Sequence, residues 1–181
     1  YKSITRIVID KTGGTMLHKI LQKIDKKISF PAVKAHCDVP CGIYDPIVAQ
    51  ISALTVVRMI DLMVKLEGEG DKKSLEYANS LSRYIANKEE HAEMVKHEVR
   101  VIMGDMVKSH HLEAYPELHE LVHKIYQLGS SARQHVNRDE GLALVESLNR
   151  FAEIFWKIKD VPIKRAKAPY APNLELVYPA L

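Results

Sequence analysis

From Pro46 onward, apolar residues recur at helical spacing in four blocks separated by turn-forming residues. Asp45-Pro46 opens the first block. An aspartate there can accept exposed N–H groups, and proline tolerates the first helical position, so a helix is predicted from Pro46 to Leu66. Gly68-Glu69-Gly70 stops it, and Asp71 is placed to cap the next. The second block predicts a long helix, Lys72 to Met106, with a strongly polar centre at Asn87-Lys88-Glu89-Glu90-His91. A corner follows from His110-His111-Leu112 to Tyr115-Pro116. The third helix is expected from Pro116 to Leu128 on the stripe Leu118, Leu121, Val122 and Ile125, with its signal weakening at Gly129-Ser130-Ser131. Asn137-Arg138-Asp139 opens the last, whose apolar face runs from Leu142 to Trp156. Pro162, Pro169, Pro172 and Pro179 make residues 161–181 an extended tail and not a further helix. Amphipathic helices joined by short turns bury their stripes against one another, so the expected fold class is all-α, an antiparallel four-helix bundle over residues 46–160.

The first 35 residues read differently. Ile7-Val8-Ile9 suggests a short strand, and Met16 to Ile28 carries a basic amphipathic helix pattern with Leu17, Ile20, Leu21, Ile24 and Ile28 on one face. Such a helix addresses a membrane surface, a processing receptor or a partner protein, or packs on its own chain. The charge follows the same division. Residues 1–35 hold eight Lys/Arg and two Asp, a balance of +6, while the rest holds 18 basic and 21 acidic residues, a balance of −3. A near-neutral body with a basic leading segment argues against a nucleic-acid-binding domain and suits targeting, propeptide or docking roles. At 181 residues and 46% apolar content the chain can build one domain with a sizeable core. The most apolar stretch, Ile47 to Leu66, is interrupted by Gln50, Ser52, Arg58, Asp61 and Lys65.

Both cysteines fall in one eleven-residue stretch, His36-Cys37-Asp38-Val39-Pro40-Cys41-Gly42-Ile43-Tyr44-Asp45-Pro46. Two thiols with three residues between them do not make a disulfide framework, and the spacing is not the CxxC of thioredoxin-like chemistry. The open readings are a small redox disulfide, two thiols, or part of a metal site that adds the His36 imidazole. Pro40 narrows the path, and Gly42 permits a turn that most side chains forbid. An N/S donor set disfavours magnesium and calcium. Square-planar geometry would point to nickel or copper and tetrahedral geometry to zinc; the spacing does not choose.

The same stretch resembles the nickel-binding hook of the nickel superoxide dismutase family. The similarity continues through Lys88-Glu89-Glu90, His97, Tyr115-Pro116-Glu117-Leu118-His119 and Phe155-Trp156, over roughly residues 36–159. The resemblance implies small four-helix bundles assembled as homohexamers, each hook wrapping one nickel ion. It implies conversion of superoxide to oxygen and hydrogen peroxide by nickel(II)/nickel(III) cycling. In the family the mature chain begins at the histidine matching His36. Its terminal amine, the amide nitrogen matching Cys37 and the thiolates matching Cys37 and Cys41 bind the metal, with the His36 imidazole as axial ligand in the oxidised state. Tyr44 matches the tyrosine lining the substrate approach, and Asp38 a residue that organises the hook backbone.

This chain departs from many bacterial members at Ser52 and His91, where those carry Glu and Arg that support the axial imidazole. A bond between Ala35 and His36 would deny the hook its terminal amine, so activity is expected to require cleavage before His36, with residues 1–35 as propeptide. The alternative is a noncatalytic dismutase-like subunit of a larger, photosynthetic assembly, bound to unlike subunits through the N-terminal helix or the tail. A plastid location is expected, with the bacterial cytoplasm as alternative; nucleic acid is not an expected partner. Elsewhere, His119 and His123 share a helix face without an HExxH signature, and Lys88-Glu89-Glu90 reads as a solvated or inter-subunit ion-pair face.

Overall fold

The structure, a computed structural model, describes residues 41–181; the expected strand near Ile7, the helix over Met16 to Ile28, and His36, Cys37 and Asp38 lie outside the described residues. The first helix, α1, is Ile47–Glu69. Asp45 Oδ1 accepts the Ile47 N–H at 2.8 Å, which satisfies one of the donors left open at a helix start. The helix runs through Gly68 and ends where Gly70 turns extended, its N–H donating to Leu66 O. By length and composition α1 could cross a membrane, but half of its most apolar window is buried within the fold. Ala49, Ala53, Val57 and Ile60 on that face are fully buried, so core packing accounts for its hydropathy.

The second helix, α2, is Leu75–Val101. Its cap is Ser74, whose side chain accepts the Tyr77 N–H at 3.1 Å. Asp71, the expected cap, instead accepts the Lys73 N–H inside the preceding turn. The long helix expected to Met106 changes character after Val101, becoming a wider π turn over Ile102–Met106. That turn leaves Ile102, Met106 and Val107 buried together, a result the apolar spacing alone does not specify.

The corner contains a short helix, α3, Ser109–Ala114. Helix α4, Leu118–Gln134, continues past the glycine that weakened its sequence signal. Gly129 is buried against α2: a Cβ there would lie 3.2 Å from Lys96 Cγ, so the residue marks a close contact and not a break. Helix α5, Arg138–Ile158, begins where expected, and Asn137 caps it by accepting the N–H groups of Asp139 and Glu140. Pairwise packing of α1 with α2 and α5, and of α4 with α2 and α5, closes the four-helix bundle. Phe151, Phe155, Leu144, Leu148, Leu118 and Ile125 are at most 1–2% exposed at its centre. Each such side chain contributes roughly 1.5–3 kcal/mol of transfer free energy.

The proline-containing tail is extended, as expected, and it is also paired. Strands β1, Ile163–Lys167, and β2, Glu175–Pro179, form an antiparallel hairpin with Ala166 opposite Leu176. Ala168, Leu176 and Val177 are buried, so the hairpin extends the bundle core. Its charged anchor is Arg165, which donates to Glu146 at 2.8 and 3.1 Å and to Glu153 at 2.7 and 3.0 Å. Arg150 extends the network, donating to Glu153 at 3.1 Å and Glu117 at 2.9 Å.

This network has a defined pH response. The Arg165 guanidinium holds the Glu146 carboxyl below its ordinary value of 4.5. Burial raises Glu153, but Arg165 and Arg150 outweigh it, so that carboxyl also lies below 4.5. Carboxyls depressed on folding stabilise the folded state fully above their unfolded value and lose that contribution as pH falls through the folded values. Hairpin anchoring should therefore be intact at pH 6 and decline below 4.5, the ordinary value of both carboxyls. Amide exchange across residues 163–179, compared with Arg165→Met, checks this: the variant should lack the acid-dependent component.

Candidate metal centre

The described part of the hook is its outgoing arm, Cys41 to Pro46. Cys41, Gly42 and Ile43 are exposed, Tyr44 is half-buried and Pro46 is buried. Gly42 has φ +72°, the left-handed conformation that most side chains resist, so the predicted turn after Cys41 is present. Tyr44 packs against the main hydrophobic core. Asp45 holds the Ile47 N–H, and Pro46 O accepts the Gln50 N–H at 3.0 Å, beginning the helical ladder. The arm thus passes from an exposed thiol at Cys41 to a fixed helix start within five residues, with an aromatic side chain as the packing point between them.

This geometry suits the donor chemistry read from the sequence. A thiolate is a soft anionic ligand suited to nickel or copper, and Cys41 lies at the surface. Among the described residues, no group of three or more His, Cys, Asp or Glu side chains is placed to hold a metal ion. His119 and His123 on α4 are both exposed and gain no third ligand there.

Ser52 and His91 do not form a shared arrangement in the described structure. The buried Ser52 hydroxyl donates to Val48 O at 2.7 Å, one turn back in α1. His91 Nδ1 lies 2.8 Å from Asn87 O, one turn back in α2. Each is engaged with its own helix backbone. His97, another residue of the resemblance, is exposed and receives the Arg100 guanidinium at 2.9 Å on Nδ1. In the corner, His111 Nδ1 accepts the Lys108 N–H, and burial with the neighbouring His110 and Lys108 charges pushes its imidazole below the usual range.

Lys88 is the clearest correction. It was expected on a solvated or inter-subunit face with Glu89 and Glu90, but it is 2% exposed. Its ammonium donates to the carbonyl of Ala132, to Arg133 O at 2.9 Å and to His135 O at 3.1 Å. These carbonyls belong to the open C-terminal end of α4, where a positive charge complements the helix dipole. Burial pushes the ammonium below its ordinary range, partly offset by Glu89. The sequence carried one overlooked signal of another kind: Gln50 is a polar residue on the apolar face of α1, and it is 1% exposed. Its Nε2 donates at 3.0 Å to Asn149 Oδ1, itself buried on α5.

Comparison with known proteins agrees with the hook reading. The family model for nickel-containing superoxide dismutase matches residues 31–159, a span that includes the whole hook and the bundle and stops before the hairpin. The chain is 35% identical over 127 residues to superoxide dismutase [Ni] of Streptomyces coelicolor, covering 70% of this chain and 90% of the relative. It is 34% identical over 127 residues to the Streptomyces seoulensis protein of the same name, with the same coverage of each chain. The native nickel superoxide dismutase structure superposes with a TM-score of 0.60 at 34% identity, covering 69% of this chain and 99% of that one. A structure with nickel ligation corresponding to the oxidised state also gives a TM-score of 0.60, at 33% identity and the same coverage. The chain belongs to the nickel-containing superoxide dismutase family, with nickel as its cofactor and superoxide as its substrate.

Proposed function

We propose that residues 36–46 form the nickel site and that the active form begins at His36. The observation carrying this is the outgoing arm: an exposed Cys41, a left-handed turn at Gly42 and a core-packed Tyr44, all within the family match. The His36 amine and imidazole, the Cys37 amide nitrogen and the Cys37 and Cys41 thiolates would hold nickel. When bound, nickel supplies one-electron redox chemistry between its divalent and trivalent states, so that two superoxide anions and two protons yield oxygen and hydrogen peroxide.

The chain's own residues do the rest. Anionic sulfur and nitrogen donors favour the higher metal charge, which brings the one-electron potential into the range superoxide can use. The Tyr44 hydroxyl orients superoxide or water at the approach, with its ring held by core packing. Asp45 and Pro46 keep the arm aligned with α1. Cleavage before His36 releases the amine that a retained Ala35–His36 amide would withhold, which assigns residues 1–35 as propeptide, residues 46–160 as the bundle and 161–181 as an added tail.

A homohexamer is part of the same reading. Ile43, Val48 and Ile51 are 80%, 42% and 42% exposed beside the hook, an apolar surface suited to contact between copies. We also propose a plastid location, on the basic amphipathic pattern of Met16 to Ile28, for which immunolocalisation is the check.

Intact mass and nickel quantification of the native protein test the proposal together. A chain beginning at His36 with about one nickel per chain is the expected result. A native chain that retains the Ala35–His36 bond and carries no nickel would contradict it.

A further inference from the structure

We infer that the C-terminal hairpin positions the nickel hook, acting through Asn149 and Gln50 on the first turn of α1; this rests on the hook reading above. The hairpin lies beyond the family match, which ends at residue 159. The native nickel superoxide dismutase structure is matched over 99% of its length by only 69% of this chain, so the hairpin is an addition relative to that protein.

The strand register determines which backbone groups the hairpin offers. Ala168 N–H donates to Leu174 O at 2.9 Å and Ala180 N–H to Pro162 O at 2.8 Å. With the observed register, the hydrogen-bonded pairs alternate, and Glu175 and Val177 turn their backbone polar groups away from β1. Asn149 meets both groups. Its Oδ1 accepts the Val177 N–H at 3.2 Å, and its Nδ2 donates to Glu175 O at 2.9 Å. One side-chain amide thus occupies the outer edge of β2 as a neighbouring strand would.

That two-point match also fixes the amide's orientation. Val177 requires an acceptor and Glu175 a donor, so Oδ1 must sit where it does, and Gln50 must present Nε2 to it, as it does at 3.0 Å. Gln50 and Asn149 are each 1% exposed, so water does not replace these bonds cheaply. Gln50 Oε1 is buried with no hydrogen-bond partner among the described residues, which leaves the Asn149 bond as the polar link anchoring this side chain. The Gln50 N–H in turn donates to Pro46 O at 3.0 Å. A continuous path therefore runs from the β2 backbone through Asn149 and Gln50 to Pro46, two residues from Tyr44 and five from Cys41. Gln50 and Asn149 touch neither metal nor substrate in this scheme; they are positioning residues.

Gln50→Leu tests the link, because leucine fills nearly the same volume while Asn149 keeps both hairpin bonds. The measurements, made on the chain beginning at His36, are amide exchange with and without nickel, and nickel release to EDTA. The expected result is exchange about tenfold faster in segment 44–54, with the hairpin segment 163–179 unchanged, the effect of losing one buried hydrogen bond. Nickel release should quicken by about the same factor. Asn149→Ala should give the same hook effect and additionally expose the hairpin. Unchanged exchange at 44–54 in Gln50→Leu would overturn the inference, as would a uniform rise across the bundle, which marks general destabilisation. Failure of the hook reading is distinguishable, because the unmodified protein would then hold no nickel while the exchange comparison remained valid.

Discussion

Cys41→Ser will leave the bundle folded and remove both nickel retention and superoxide dismutation. A serine hydroxyl is a hard, neutral donor that does not ionise near pH 7, whereas the thiolate it replaces is soft and anionic. Loss of an outer partner of a metal ligand already costs roughly 10–100-fold in affinity or activity, and loss of a ligand should cost more. Cys41 is exposed, so the fold should not register the change: surface substitutions stay within about 0.5 kcal/mol. The informative result is the separation of the two readouts, with the melting temperature of the metal-free protein unchanged while metal content and superoxide decay collapse. Cys37→Ser should behave alike. Retention of nickel and activity in either variant would remove the thiolate pair from the site.

Lys88→Met should produce the largest loss of stability. Methionine fills much of the same space but removes the donor serving Ala132, Arg133 and His135 carbonyls. Replacing both members of a buried polar contact can be neutral, but here the three acceptors remain. The ammonium is desolvated, and burial lowers its affinity for a proton, which reduces the benefit of the charge. Three charge-assisted bonds at a helix C-terminus outweigh that cost, since each is worth more than a neutral hydrogen bond. The net loss is about 3 kcal/mol, a fall of roughly 6–12 °C in Tm for a chain of this size. Calorimetry gives the answer, and a shift under about 2 °C would show that the ammonium barely offsets its own desolvation.

The contrast between Cys41 and Lys88 shows what the sequence reveals. The hook is local: its histidine, cysteines, prolines and glycine lie within eleven residues, and Gly42 adopts the turn its identity suggested. The helices are also local, set by apolar recurrence and by caps such as Asn137. Lys88 sits in a run of charged residues that is indistinguishable in sequence from a solvated face. Its acceptors are backbone carbonyls 44, 45 and 47 positions away, and carbonyls carry no residue identity. The same reason hid the Asn149 contact with β2. The tail's prolines correctly excluded a helix, but pairing of two five-residue strands depends on the bundle surface that buries Leu176 and Val177. Ser52 and His91 were marked as departures from the family pattern, and the structure engages each with its own helix instead of with the other.

The most direct measurement compares the chain beginning at His36 with the same chain still carrying Ala35, each incubated with nickel under identical conditions. Metal content and the rate of superoxide decay are read on the same samples. The His36 chain should hold about one nickel and consume superoxide rapidly, while the Ala35 chain, lacking the terminal amine at the hook, should do neither. Equal nickel binding and equal superoxide decay by the two chains would contradict a site completed by the His36 amine.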